Sequence, residues 1–368
     1  MINNERLLAN FLEYVQIDSE SQHESAMARR VMDDLKALGC EVYMDHSQEQ
    51  TGCDAGNVYC TLPGTVPGDS PLLAAHMDTV QPGVGVIPVI EDGIIRSKGD
   101  TVLGGDDKSG VAAIIEAIRT VVEQDLPHPT IHAVFTVAEE IGLRGSRNLE
   151  YDRIVPKRAV VLDSSGDAGK IIISAPGQYK LNATVVGRRA HAGVAPQDGI
   201  SAIQVAAEAI SNMKLLRIDE ETTANIGTLK SEYATNIVPE RASILAEARS
   251  RNDEKLEAQA GHMLQCLNDA CEKYGATLEG GLTKSYTGYS YAENDPFVAE
   301  VTAACKKAGL DPLLAASGGG SDANNMNSNG LQALVLGTGM TKVHTTAEEL
   351  SIANLEATAA LALALMTV

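Results

Sequence analysis

The chain has 368 residues, of which 44% are hydrophobic, and its mean hydropathy is −0.06. This length suits two domains better than one, and the composition is that of an ordinary globular protein. The formal net charge of −20 argues against a nucleic-acid partner, whose phosphates require a basic protein face.

The sequence also argues against a membrane protein or a secreted one. No apolar run approaches the ~20 residues of a membrane span, and the first residues lack the basic and then apolar pattern of a signal peptide. The six cysteines are irregularly spaced and form no CxxC pair. We therefore expect a cytoplasmic protein with reduced thiols.

In chain order, the first part alternates helices and strands, which indicates an α/β sheet with helical crossovers. Helical patterns cover 5–17, 24–38 and 108–122, and short apolar runs between them are typical of strands. From about Gly177 the pattern becomes β-α-β-β-α-β, the ferredoxin-like arrangement. Beyond Tyr289 the α/β pattern resumes and ends in a helix predicted over 347–366. We expect a catalytic domain of 1–176 and 289–368, interrupted by an inserted domain of 177–288.

The segment "GDTVLGGDDKSG", which begins at Gly99, resembles a phosphate-binding loop in outline. A P-loop needs glycine where Val102 and Asp107 stand here. The adjacent carboxylates of Asp106 and Asp107 would repel a polyphosphate, but they are natural ligands for a divalent cation. The segment therefore predicts a metal loop.

Other residues of metal-ligand type follow predicted strands. His76 ends one strand, Glu139-Glu140 follow a second, and Asp163 ends a third. Because residues past the carboxyl ends of strands line the crevice of an open α/β sheet, these groups are expected to converge on one site. Asp78 lies two residues after His76 on the same face, where it can orient the imidazole. His344 follows a further strand.

Taken singly, each of these patterns has a plain structural explanation, such as a polar pair at the end of a buried strand. Together, "HMD", "GGDDKSG", "AEE", "LDSSG", "RRAHAG", "TNIVPE", "EARS", "GGGSDAN" and "VHTTAEE" resemble the dinuclear zinc exopeptidases, in the branch that includes peptidase T. The motifs keep the family's order, and the resemblance covers nearly the whole chain. It implies a mixed sheet in the catalytic domain and an α+β lid as the inserted domain.

The resemblance also implies the ligands and the catalytic groups. His76, Asp106 and Asp163 would bind one metal, and Asp106, Glu140 and His344 the other, with Asp106 shared. A hydroxide held between the two metals would attack the peptide, and Glu139 would act as general base. Zinc is the metal of the family, although His and carboxylate ligands also accept manganese or cobalt.

Further candidates lie in or beside the inserted domain. By resemblance, His191 stabilises the oxyanion, while Asn236 and Arg249 contact substrate, Arg249 through the peptide carboxylate. The glycine-rich segment with Gly319, Gly320 and Ser321 either cups the substrate or only turns the chain. The alternative interpretation is that His191 is a surface loop histidine and Arg249 a surface charge on a strand.

By resemblance, Asp163 favours the aminopeptidase and dipeptidase branches of the family, because Glu is usual at this position in the carboxypeptidase and desuccinylase branches. We expect a metal-dependent exopeptidase that hydrolyses short peptides, an aminopeptidase resembling peptidase T. The alternatives are an N-acyl amino acid amidohydrolase or carboxypeptidase of the same family, and a non-catalytic metal-binding relative. The sequence leaves open the preferred peptide length, the physiological metal and the oligomeric state, with the inserted domain as the candidate surface for a homodimer.

Overall fold

The computed structural model describes residues 1–367, which form two units. The first unit comprises Met1–Ile173, Tyr291–Ala316 and the chain from Ser321 onwards. The second comprises Ser174–Ser290 and the short glycine-rich segment Ser317–Gly320. No helix among residues 1–367 is long and apolar enough to cross a bilayer.

The amino-terminal part of the first unit contains five helices and eight strands, the last of which ends just inside the second unit. The helices are α1 (Asn4–Val15), α2 (Ser25–Ala37), α3 (Gln48–Thr51), α4 (Gly105–Glu123) and α5 (Arg144–Arg147). The strands are β1 (Glu41–Met44), β2 (Val58–Leu62), β3 (Asp69–His76), β4 (Pro88–Glu91), β5 (Ile94–Ser97), β6 (Thr130–Thr136), β7 (Arg158–Ser164) and β8 (Lys170–Ala175). A 3-10 turn covers Tyr151–Arg153.

The second unit has the predicted β-α-β-β-α-β core. Its elements are β9 (Gly177–Val186), β10 (Ala190–His191), α6 (Ala202–Asn212), β11 (Leu216–Arg217), β12 (Thr222–Lys230), β13 (Ile237–Val238), β14 (Arg241–Ser250), α7 (Asp253–Tyr274), β15 (Thr277–Tyr286) and β16 (Tyr289–Ser290). The main sheet is antiparallel in the order β11-β12-β14-β9-β15. Alternate residues of β14 are buried and pack with α6 and α7, so the period-two pattern covers one face of the sheet.

The chain then returns to the first unit. It adds α8 (Pro296–Lys307), β17 (Leu313–Ala316), α9 (Asp322–Ser328), β18 (Gln332–Gly337), β19 (Met340–Thr341), β20 (Glu349–Ser351) and α10 (Ile352–Met366). The prediction of a helix from residue 347 was wrong at its start. Residues 349–351 form β20 because they pair with β5 and bury Leu350, and the Ser351 hydroxyl then caps α10.

The large sheet of the first unit is mixed, with the order β1-β2-β6-β3-β7-β18-β8 and β17 beside β8. The four strands β6, β3, β7 and β18 are mutually parallel, so their carboxyl ends share one edge. A smaller antiparallel sheet has the order β19-β20-β5-β4. The prediction of an α/β protein with a mixed sheet and an α+β insertion is confirmed.

Helix α4 is buried on nearly all sides in the core of the first unit, where it packs against α1, α10 and β3. Its Glu116 is fully buried and accepts two hydrogen bonds from Arg6 of α1, at 2.9 Å from Nε and 2.7 Å from Nη2. The same guanidinium pairs with Glu123, whose side chain is 47% exposed. Arg6 therefore ties α1 to α4 through one buried and one exposed carboxylate.

This arrangement predicts unequal effects for two matched substitutions. We expect Glu116→Gln to lower the free energy of unfolding by about 1.5–3 kcal/mol, since it weakens buried charged hydrogen bonds. Glu123→Gln should cost less than about 1 kcal/mol, as exposed ion pairs do. Urea denaturation of both variants as metal-free protein measures the difference. Equal losses of stability would contradict this account of α1 docking.

Candidate active site

The residues of metal-ligand type lie together at the carboxyl edge of the parallel strands. His76 is the last residue of β3, Asp163 lies near the end of β7, and Glu139 and Glu140 follow β6. Asp106 lies in the first turn of α4, where its backbone is not helical. His344 lies in the loop 342–348 between β19 and β20.

Two groups of side chains share Asp106. On one side, His76 Nε2 lies 3.1 Å from Asp106 Oδ1 and 3.7 Å from Asp163 Oδ1. On the other side, His344 Nε2 lies 3.4 Å from Asp106 Oδ2 and 3.0 Å from Glu140 Oε2. The structure thus brings together all five residues that the sequence predicts as ligands. Among the described residues, the sets whose ligand atoms all lie within 4.8 Å of one another are His76, Asp106 and Glu140, and His76, Asp107 and Asp163, so the division of the ligands between two ions stays a prediction.

Asp107 is a further ligand candidate that the predicted ligand set omits. Together with His76 and Asp163 it forms a cluster whose ligand atoms lie within 4.8 Å of one another. Its carboxylate already accepts hydrogen bonds from the backbone N–H groups of His76 and Gly110, at 3.2 and 3.1 Å. These contacts fix the Asp107 carboxylate against the backbone of His76 and Gly110. The adjacent carboxylates in "GGDDKSG" were the signal for it.

Five carboxylates crowd this edge, and each side chain is at most 10% exposed: Asp106, Asp107, Glu139, Glu140 and Asp163. Burial raises the pKa of Asp107, Glu139, Glu140 and Asp163, and neighbouring carboxylates raise them further. Asp106 differs, because hydrogen bonds with His344 and His76 outweigh its burial and hold its pKa below the usual range.

The two histidines differ in exposure. His76 is buried, and burial disfavours its charged form, yet contacts with Asp106 and Asp78 outweigh this and raise its pKa. His344 is 54% exposed, and its hydrogen bonds with Asp106 and Glu140 raise its pKa to about 10. Both imidazoles therefore face an excess of negative charge.

These residues fit a pair of divalent cations. Two imidazoles cannot balance five carboxylates, whereas two divalent ions add four positive charges where the oxygens converge. Glu140 Oε1 is buried without a hydrogen-bond partner among the described residues, and its other oxygen faces His344. Imidazole nitrogen and carboxylate oxygen are also the ligand types that zinc and related metals accept.

Asp78 lies beside the His76 ring and faces it with both its backbone and its carboxylate. His76 Nδ1 lies 2.9 Å from the backbone carbonyl of Asp78 and 3.5 Å from its Oδ1. The carboxylate also accepts the backbone N–H groups of Glu139 and Glu140, at 2.9 and 3.2 Å, and the Ser21 hydroxyl at 2.6 Å. Asp78 thus anchors the turn that carries the two glutamates.

Two other buried carboxylates act on the same loops, and sequence reasoning missed both. Glu24 Oε1 accepts the N–H of Ala138, the residue before Glu139, at 3.0 Å. Glu348 accepts the N–H groups of Gly104 and Asp106. The acidic residues of "VHTTAEE" were the one sequence signal for Glu348. The signal was missed because these residues fall within the helix predicted over 347–366.

The remaining candidates lie in the second unit, apart from Ser321. His191 in β10 is exposed and pairs with Ile237, and the N–H of Ala192 donates to the Asn236 carbonyl at 2.9 Å. Arg249 is held by Glu247, with Nε 2.9 Å from Oε1. A Cβ on Gly319 would lie 3.9 Å from Arg249 Nη1, so these two candidates are neighbours.

Gly320 and Ser321 both make structural contacts: Gly320 packs closely against Tyr286, and Ser321 caps α9. A Cβ on Gly320 would lie 2.5 Å from the ring of Tyr286, so only glycine fits there. The Ser321 hydroxyl accepts the N–H of Ala323 and caps α9, with Asn324 completing the capping box. Ser321 is buried, and this cap occupies its hydroxyl.

Comparison with known proteins agrees with this geometry. Residues 72–367 match the model of peptidase family M20/M25/M40. The chain belongs to this family. The predicted resemblance to the dinuclear zinc exopeptidases is thereby confirmed at the level of the family.

Relatives and solved structures span the whole chain. The uncharacterized protein YqjE of Bacillus subtilis is 43% identical over 366 residues, which are 100% of this chain and 99% of the relative. The structure of aminopeptidase PepT from Bacillus cereus is 43% identical, with a TM-score of 0.90 and coverage of 99% and 98% of the two chains. A tripeptidase structure from Staphylococcus aureus is 38% identical, with a TM-score of 0.94 and coverage of 100% and 98%.

Close packing around Gly110 in α4 gives a test of the site's geometry. A Cβ on Gly110 would lie 2.5 Å from the Leu162 carbonyl and 2.6 Å from Asp107 Oδ1. We expect Gly110→Ala to lower the free energy of unfolding by about 1–3 kcal/mol through overpacking, and to displace Asp107. Denaturation and a crystal structure of the variant measure both effects.

Gly261 in α7 is the matched control, because a Cβ there meets nothing within 4 Å. Gly261→Ala should stabilise the protein by about 0.5–1 kcal/mol, the usual gain in a helix. A Gly110→Ala variant as stable as Gly261→Ala would contradict the packing described.

Proposed function

We propose that the protein is a dinuclear metal-dependent aminopeptidase that removes the N-terminal residue of short peptides. The main support is that Asp106 lies between two groups of side chains, His76 with Asp163 and His344 with Glu140. Glu139 is buried beside them and is not needed as a ligand in this proposal. Membership of a peptidase family supports the reaction class, and the names of the Bacillus cereus and Staphylococcus aureus relatives support the aminopeptidase branch.

In this proposal His76, Asp106 and Asp163 hold one metal, and Asp106, Glu140 and His344 hold the other. Zinc is the proposed metal, with manganese and cobalt as alternatives. Divalent metals bound in this way acidify a water molecule and polarise a scissile carbonyl. The donor set supports the proposal because its excess carboxylate charge requires cations.

Glu139 is the proposed proton carrier. Its carboxylate is buried, which together with the charges of Glu140 and Asp322 raises its pKa, while His76 opposes the shift. A carboxylate oxygen of Glu139 accepts the proton of the attacking water as the new C–O bond forms. The same oxygen returns that proton to the amine nitrogen as the C–N bond breaks, so the group ends the cycle unchanged.

The surrounding chain fixes the backbone that carries this carboxylate. The backbone N–H of Glu139 donates to Asp78 Oδ1 at 2.9 Å, and the N–H of Ala138 before it donates to Glu24. A proton acceptor carried on a fixed backbone has less freedom to lose when substrate binds, which favours reaction. Asp78 and Glu24 are therefore positioning residues in this proposal.

The residues of the second unit stay predictions. His191 is the proposed donor to the oxyanion, and Arg249 the proposed bidentate donor to the peptide carboxylate, with Asn236 as a further substrate contact. Glu247 already pairs with Arg249 and receives a hydrogen bond from Gln178 at 2.6 Å. This pairing supports Arg249 being held in a fixed direction.

A cytoplasmic location belongs to the same proposal. All six cysteines are buried free thiols, as expected of a reducing compartment. Homodimer formation through the inserted domain also stays a prediction.

The nature of the substrate's amine end separates the proposed aminopeptidase from a deacylase. We expect a good unblocked tripeptide to be cleaved in the presence of zinc, manganese or cobalt, and its N-acetylated form to be cleaved far more slowly. Rates of product release from the two peptides at equal concentration measure the difference. Equal or faster cleavage of the acetylated peptide would assign the protein to the deacylases instead.

Glu139 and Glu140 are neighbours with different proposed roles, so each is the control for the other. Glu139→Gln keeps the shape but cannot accept a proton, and should lower turnover by about 10²–10⁴-fold while metal content stays at two ions. Glu140→Gln removes a ligand charge and should lower metal content at one position. Turnover and metal stoichiometry are measured on both variants. Loss of metal from Glu139→Gln, or its normal turnover, would reverse the assignment.

A further inference from the structure

Glu348 is a buried carboxylate at the end of the loop 342–348, and it is not among the proposed ligands. It is only 2% exposed. Its own N–H donates to the carbonyl of Thr345, so its backbone is fixed within the loop that carries His344. A carboxylate in this position requires partners, because burying an unpaired charge is costly.

Its partners are backbone groups of the loop that carries Asp106. Glu348 Oε2 accepts the N–H of Gly104 at 2.8 Å, and Oε1 accepts the N–H of Asp106 at 2.9 Å. A Cβ on Gly105, between them, would lie 3.1 Å from Oε1. The carboxylate therefore contacts three consecutive residues of this turn, Gly104, Gly105 and Asp106.

These contacts satisfy backbone groups of an irregular turn. The backbone of Asp106 and Asp107 is not helical, and Gly104 before them has no side chain that could accept a hydrogen bond. Buried backbone N–H groups need acceptors, which can come from a distant part of the chain. Glu348 supplies both acceptors from a segment more than two hundred residues later in the chain.

We infer that Glu348 is a positioning residue that fixes Asp106 between His76 and His344. Asp106 can serve two histidines only if each oxygen faces one of them, as at 3.1 and 3.4 Å here. Rotation of the backbone at residue 106 would remove one of these contacts. Because Glu348 lies four residues after His344, one carboxylate joins the two loops that carry Asp106 and His344.

This inference rests on the proposed function, since it takes Asp106 to be the shared ligand. It adds a residue that touches neither metal nor substrate and acts through Asp106. Loss of such an outer partner lowers metal affinity by about 10- to 100-fold in metal sites generally. We expect that loss here, with weaker binding of one or both ions.

The chain offers a matched control in the next residue. Glu349 is also acidic, but its side chain is 19% exposed and pairs with Arg96 and Lys342. Glu349→Gln removes the same charge from the adjoining residue, the first of β20, without touching the loop of Asp106. Its metal affinity should equal that of the wild type.

The test is an equilibrium titration of the metal-free proteins with Co²⁺, followed by visible absorption. Wild type, Glu348→Gln, Glu348→Ala and Glu349→Gln are compared, with thermal unfolding of each metal-free protein measured in parallel. Glu348→Gln keeps one acceptor oxygen and should lose less Co²⁺ affinity than Glu348→Ala. In tripeptide hydrolysis at saturating Co²⁺, kcat of both Glu348 variants should fall by a larger factor than KM rises.

The outcomes separate this inference from the proposed function. A wild type that binds no Co²⁺ or cleaves no tripeptide would overturn the proposed function. If the wild type binds two ions and is active, unchanged Co²⁺ dissociation constants in Glu348→Gln and Glu348→Ala would overturn only the role of Glu348. Lower thermal stability of the Glu348 variants with unchanged Co²⁺ affinity would also overturn that role, since it would show that Glu348 only stabilises the fold. If Glu348→Ala does not fold, Glu348→Gln decides.

Discussion

Repulsion among the five carboxylates at the carboxyl edge of β3, β6 and β7 is the constraint on which the rest of the first unit depends. Burial strengthens this repulsion, because little solvent remains to screen the charges. The protein offsets part of it with two imidazoles and with backbone N–H groups directed at Asp107. The remainder is the charge that the proposed metals would neutralise.

Three further carboxylates hold the backbone around this edge rather than reaching into it. Glu24, Asp78 and Glu348 accept hydrogen bonds from the N–H groups of Ala138, Glu139, Glu140, Gly104 and Asp106. Hydrogen bonds to a charged acceptor are stronger than neutral ones, and these acceptors come from distant parts of the chain. Placement of the ligands therefore depends on tertiary contacts as much as on local turns.

Much of this site could be predicted from the sequence because parallel strands end at a common edge. His76, Glu139, Glu140 and Asp163 follow apolar strands, and that rule alone places them together. The period-two pattern put Asp78 on the side of His76, but it could not give the side-chain rotamer. The hydrogen bonds that this carboxylate also accepts from the backbone of Glu139 and Glu140 were therefore not predicted.

The contacts that the sequence did not predict are those between distant segments. Glu348 lies in a run of residues that favour a helix, and pairing with β5 and β19 makes the following residues a strand. Ser321 follows three glycines, which suggested a substrate contact, yet its hydroxyl caps α9. Glu24 precedes α2 and gives no local sign of its contact with Ala138.

The order of strands also has a consequence for biosynthesis. Strand β18 lies at the middle of the large sheet beside β7, but it is made more than 150 residues later, after the whole second unit. During translation the second unit can therefore fold while the large sheet still lacks one of its central strands. The nascent chain must keep the apolar edge of β7 from other partners until β18 emerges. His344 follows β18, so the residues of the proposed metal site are all present only after this part of the chain has been made.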